Sequence, residues 1–155
     1  MSKNKILIFL LIFTMSCGYE PIHSKKNRLM NSYFSISEVN YTGDRDVNIK
    51  IKELLKYYTL SKNTKNYNIR INSESLKIII AKDSNSNPTT HELKLKVTAL
   101  VIKEGETNKE FIFEEKFKYN NIEDKYELKK YEKELKRNLT KVIIDNLLNN
   151  LSNYK

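Results

Sequence analysis

Between Tyr67 and Tyr119 apolar side chains fall at alternate positions in successive runs, and this period of two limits what the chain can become. Tyr67, Ile69 and Ile71 alternate with polar residues, and so do Leu76, Ile78 and Ile80. Leu93, Leu95, Val97, Ala99 and Val101 alternate with Lys94, Lys96 and Thr98, and Phe111, Phe113, Glu115, Phe117 and Tyr119 share one phase. Alternation of this kind is the mark of strands with one face buried. The breaker-rich segment Asp83–Thr89 (DSNSNPT) and the turn Glu104–Asn108, which holds Gly105, divide the runs into a meander of three strands. Ser73-Glu74-Ser75 shifts the phase within the first strand by one residue, which predicts a bulge or a brief break there. Only three glycines and two prolines occur in 155 residues, too few for a turn-dense barrel.

Two helical stripes flank the meander. Val47, Ile51, Leu54, Leu55 and Tyr58 recur at helical spacing, with Asp44 ahead of them as a candidate N-cap. The second stripe runs from Lys125 to about Ser152: Leu128, Tyr131, Leu135, Leu139, Val142, Ile143 and Leu147, widened by Ile144, Leu148 and Leu151. Glu132–Lys136 adds an acid-to-base pair one turn apart. Before the first helix, Tyr33–Tyr41 reads as a strand whose alternation slips, as it would at a bulge. The order is β-α-β-β-β-α. A helical crossover joins parallel strands, so the expected fold is α+β, a two-layer sandwich with both helices on one face of a four-stranded mixed sheet.

The N-terminus has its own grammar. Lys3 and Lys5 precede the wholly apolar stretch Ile6–Phe13, and Thr14-Met15-Ser16 leads to the only cysteine, Cys17. A charged region, a short apolar region and a small residue before a cut make a secretory signal peptide over residues 1–16. The apolar stretch is far below the ~20 residues that span a bilayer. A lone thiol has no disulfide partner within the chain, and Cys17, just after the apolar region and followed by Gly18, resembles the lipobox of bacterial lipoproteins, which implies lipid attachment there. Residues 17–32 then read as the lipidated cysteine and a polar, basic tether, with the sandwich domain over 33–155.

The formal charge is +9, and +7 once Lys3 and Lys5 leave with the signal. A basic exported protein rarely meets nucleic acid, so anionic lipid and phosphorylated glycolipid are the polyanions to consider. The abundance of Asn, Lys and Ile offers a second source for this charge, the bias of an AT-rich genome. Enzyme signatures are missing: the sequence has no GxSxG, HExxH, phosphate-binding glycine loop or CxxC. His23 and His91 stand apart, and no three metal ligands fall at useful spacing. A binding or assembly role is therefore expected, with no catalytic residue, no metal and no cofactor beyond the covalent lipid on Cys17.

Cys17-Gly18-Tyr19-Glu20-Pro21-Ile22 resembles the start of the lipopolysaccharide-assembly lipoprotein family (LptE), in which Cys-Gly precedes an aromatic, a polar residue, Pro and an aliphatic. Pro88-Thr89-Thr90-His91-Glu92-Leu93 resembles the small, polar start of that family's central strand, and the likeness continues through the long C-terminal helix. Thr14 stands where the family prefers Leu. The resemblance implies a thioether-linked diacylglycerol on Cys17 and anchoring to the periplasmic side of the outer membrane. It implies a partner, the β-barrel LPS translocon LptD, which such proteins plug and help assemble, and contact with LPS during its insertion. If strands one and two are parallel, Arg45 and Lys82 fall at the same end of the sheet as His91, Lys118 and Lys125. Arg45 and Lys82 are accordingly the candidate LPS contacts. The alternative is a periplasm-facing lipoprotein that binds another ligand, or an envelope interaction or inhibitor module.

Overall fold

The alternating runs and helical stripes become six elements: β1 (Ser35–Gly43), α1 (Arg45–Leu60), β2 (Asn66–Lys82), β3 (Pro88–Ile102), β4 (Lys109–Asn120) and α2 (Lys125–Asn153). The computed structural model describes residues 34–103 and 107–154. The expected signal peptide, Cys17 and the tether to residue 32 lie outside the described residues, as does Gly105 of the β3–β4 turn.

The sheet order is β1-β2-β3-β4. β1 pairs with β2 in parallel, as the intervening helix requires, and the two hairpins make the other pairs antiparallel. The fold is the expected α+β sandwich. Tyr67, Ile69 and Ile71 of β2 and Leu95, Val97, Ala99 and Val101 of β3 face the helices and are almost wholly buried. Val47, Ile51 and Leu55 of α1 and Ile143, Ile144, Leu147 and Leu151 of α2 close over them, each fully buried. The other face of the sheet carries Asn68, Arg70, Lys94, Lys96, Glu114 and Lys116, and among the described residues no helix covers it.

Both helices begin at an aspartate. Asp44 accepts the N–H groups of Asp46 and Val47 at 2.9 and 3.0 Å, and Asp124 accepts those of Tyr126 and Glu127 at 2.7 and 2.9 Å. Each cap satisfies donors that the helix itself leaves open. Gly43 turns the chain from β1 into the first cap with φ at +92°. A Cβ there would lie 1.9 Å from the Ser73 carbonyl oxygen, so glycine is needed both for the dihedral and for the close approach of β1 to β2.

Three expectations change. The slip in β1 is a bulge between Ile36 and Glu38, but β2 runs without interruption from Asn68 to Ile79 against β3. Its bulges lie nearer the tip, between Ile79 and Lys82. The helix-facing row of β2 is thus Tyr67, Ile69, Ile71, Ser73, Ser75, Lys77 and Ile79, and Leu76 falls on the open face, 56% exposed. The sequence phase shift is a change of what faces the helices, not a change of backbone. Val142 is 47% exposed because the buried arc of α2 centres on Leu139, Ile143 and Leu147 and extends towards Thr140, Ile144 and Leu148, away from it. Phe117 keeps its phase but is 46% exposed, since β4 is an edge strand.

Candidate anion-binding cleft

β1 stops at Gly43, opposite Ser73, whereas β2 continues to Lys82. Beyond Ser73 one edge of β2 has no neighbouring strand among the described residues, and the helix-facing row there is polar: Ser75, then Lys77. The first turn of α1 and the N-terminal half of α2 stand beside this step. Together they enclose a cleft of about 300 Å³ lined by Asp46, Ser75, Lys77, Leu93, Lys129, Glu132, Lys133 and Lys136.

Four lysines therefore share the lining with two carboxylates, Asp46 and Glu132, and a third, Asp44, reaches Lys136. Two of the lysines are held in place. Lys77 Nζ donates to Glu132 Oε1 at 2.5 Å, and Lys136 Nζ donates to Asp44 Oδ2 at 2.9 Å. The acid-to-base pair read from the spacing of Glu132 and Lys136 does not form, because each finds a partner on another element. Lys129 and Lys133, one turn apart on α2, make no ion pair among the described residues. Their ammonium groups are available to an anion from outside.

The fixed pairs are electrostatically settled. Burial would push the Asp44 carboxyl up, but the Ser75 hydroxyl, the Val47 N–H and the Lys136 ammonium all donate to it and hold it at about 2. Burial likewise works against ionisation of Glu132, and hydrogen bonds from Lys77 and from Tyr119 Oη (2.7 Å) outweigh it and lower its pKa. The Tyr119 phenol is pushed up, first by burial and then by the Glu132 carboxylate it donates to. Asp44 and Glu132 are thus ionised across the neutral range, and their two lysines are locked as counter-ions.

The rim is apolar towards the hairpin tip. Ile79 lies on the same face of β2 as Lys77, one step outward, and is 48% exposed. His91 stands opposite Ile79, buried against the Tyr119 ring, with Nε2 3.1 Å from Asn121 Oδ1. Cations next to exposed aliphatic side chains form an amphipathic surface, suited to a ligand with phosphate and hydrocarbon parts. No group of three metal ligands gathers among the described residues.

The structure does not bring the two sequence-derived candidates together. Arg45 sits in the first turn of α1, in a shallow groove with Tyr41, Asn48 and Lys52, outside the cleft. Lys82 pairs with Pro88 at the tip, nine residues beyond Ser73 along β2, or about 30 Å at the usual strand rise. Parallel pairing does put both in the same direction along the sheet. The unequal lengths of β1 and β2 separate them. The cleft lysines were missed because each reads as ordinary surface charge. Lys129, Lys133 and Lys136 do recur at helical spacing, a signal open to inspection, but Lys77 needed the register of β2.

No known family profile matches the sequence, and no curated protein does. Solved structures do. The chain is similar to rare lipoprotein B from Shewanella oneidensis, with a TM-score of 0.56 and 14% identity over 75% of this chain and 97% of that one. It is similar to a minor lipoprotein from Acinetobacter baumannii, TM-score 0.54 and 14% identity over 75% and 90%. Lipoprotein B from Nitrosomonas europaea matches at TM-score 0.52 and 14% identity over 78% and 86%. The β-α-β-β-β-α sandwich described above is the fold of these bacterial lipoproteins.

Proposed function

We propose that this chain is an outer-membrane lipoprotein of the LptE type, anchored through Cys17, that plugs the LptD translocon barrel and contacts LPS during its insertion. The observation that carries the LPS part is the cleft: two unpaired lysines, two fixed ones and an adjoining apolar rim, on a domain that shares its fold with lipoproteins. Lys129 and Lys133 would take lipid A phosphate, and Ile79 would lie along acyl chain. A plug needs a filled interior and a polar exterior. Ile51, Leu55, Leu95, Val97, Ile143 and Leu147 leave no exposed surface between the layers, while the open face presents Lys94 paired to Glu114 at 2.9 Å. A filled core also disfavours the alternative in which a small ligand is swallowed between helices and sheet. The role is one of binding and assembly, with no catalytic step.

Purified LPS titrated into the chain tests the assignment. Lys129→Glu with Lys133→Glu is expected to weaken binding by tenfold or more at low salt and to leave the thermal midpoint unchanged, since neither lysine holds a partner. Arg45→Glu with Lys82→Glu belongs in the same assay. Loss of binding in that variant, with the cleft variant intact, would move the contact to those two residues. A Cys17→Ser chain should leave the membrane fraction, and a processed form that stayed there would contradict the lipid anchor.

A further inference from the structure

Among the described residues β1 is an edge strand, with no strand on its outer side. The N–H of Asp44 goes to the Ser73 carbonyl, and the Thr42 carbonyl accepts from Ser73 Oγ, so the even-numbered residues at this end of β1 direct their backbone groups to β2. Backbone direction alternates along a strand, which leaves the N–H and C=O of Val39 and Tyr41 pointing away from the sheet. The bulge of β1 falls earlier, between Ile36 and Glu38, and does not disturb this stretch.

A groove runs along the same edge under α1. It measures about 600 Å³ and is lined by Val39, Tyr41, Ile49, Lys52, Lys56 and Thr59, together with Glu53. A second hollow of about 300 Å³ continues it past Tyr41, Ile49 and Lys52 to Arg45. Ile49, on the wall, is 54% exposed. Among the described residues Arg45, Lys52 and Lys56 form no ion pair, whereas the single carboxylate, Glu53, is engaged by Lys50 at 3.1 Å and Arg137 at 3.7 Å. The groove is therefore apolar along its floor and cationic along its rim, beside unpaired strand backbone.

We infer that this edge accepts an extended acidic segment of a partner protein as an added fifth strand, parallel or antiparallel to β1. Backbone groups of Val39 and Tyr41 supply the ladder, and Arg45, Lys52 and Lys56 select carboxylates on the side chains that turn towards α1. Charge decides against a second copy of this chain as the occupant: pairing β1 with itself sets the same three cations against their duplicates. The surface is separate from the lysine cleft, and the inference goes beyond LPS binding.

The probe is a short synthetic peptide alternating valine with glutamate, compared with its valine–lysine counterpart and titrated into the whole chain. The glutamate peptide is expected to bind with at least tenfold preference and to slow amide hydrogen exchange at Val39 and Tyr41. Lys52→Glu with Lys56→Glu should weaken it by tenfold or more. Val39→Pro removes an outward N–H and no β1–β2 hydrogen bond, so it should abolish binding while the melting curve stays cooperative. Equal binding of both peptides, protection confined to other strands, or binding unaffected by both variants would overturn the proposal. A dimer of the free chain that Val39→Pro dissociates would overturn it in favour of self-pairing.

Discussion

Replacing Asp44 by asparagine separates two duties that this carboxyl performs together. Asparagine caps a helix about as well as aspartate, so the bonds from the Asp46 and Val47 N–H groups survive. What disappears is the negative charge that ties Lys136 of α2 to the start of α1. The carboxyl is held at about 2 against an ordinary 3.8, and at about 1.4 kcal/mol per pH unit this is worth about 2 kcal/mol. With only about a fifth of each side chain exposed, solvent screening reduces that figure little. The folded-state pKa is lowered, so the stability is present above about pH 3.8 and is lost as pH falls through about 2. Urea unfolding of the wild type and Asp44→Asn, followed by circular dichroism, should differ by about 2 kcal/mol at pH 6, about half that near pH 3, and little at pH 2. Asp44→Ala also loses the cap and should cost about 1 kcal/mol more at pH 6. A difference between wild type and Asp44→Asn that is absent at pH 6, or unchanged from pH 6 to pH 2, would refute the reading that an ionised Asp44, held by Ser75, Val47 and Lys136, stabilises the fold.

Gly43→Ala should destabilise by about 3 kcal/mol in the same assay, because the positive φ is strained for alanine and the added methyl meets the Ser73 carbonyl; a neutral result would contradict the turn geometry. Ile143→Ala is expected to cost about 2–5 kcal/mol and Val142→Ala less than about 0.5, since the structure places the first at the centre of the buried arc and its sequence neighbour outside it. Glu132→Gln should bring the Tyr119 phenol down towards its ordinary range, read from the Cζ shift in NMR, because the carboxylate that resists a neighbouring phenolate is gone. An unmoved Tyr119 would mean that burial alone sets its titration.

Much of the fold was legible because period and punctuation agree. The alternation of Leu93 to Val101 and the stripe from Leu135 to Leu151 each have one arrangement that buries them, and Asp44 announces the helix it caps. The sequence misled where burial stops before the element does. Leu76 and Ile78 look like core, and the apparent slip at Ser73-Glu74-Ser75 looks like a bulge, but β2 outruns β1 and its unaccompanied end reverses which face is apolar. The same excess length makes the cleft. Its lysines come from β2 and α2, which the chain separates by more than forty residues, and only register joins Lys77 to Glu132. Parallel pairing gives Arg45 and Lys82 a common direction along the sheet but says nothing of how far each strand extends.

The central claim, that this sandwich works inside a translocon barrel, is tested most directly by isolating the mature lipidated chain from outer membranes in mild detergent and identifying by mass spectrometry what stays bound. A stable complex with LptD is expected, one that survives gel filtration and does not form when the sandwich is deleted behind an intact Cys17 segment. Recovery of the chain from outer membranes without LptD, at a yield that accounts for the whole population, would contradict it.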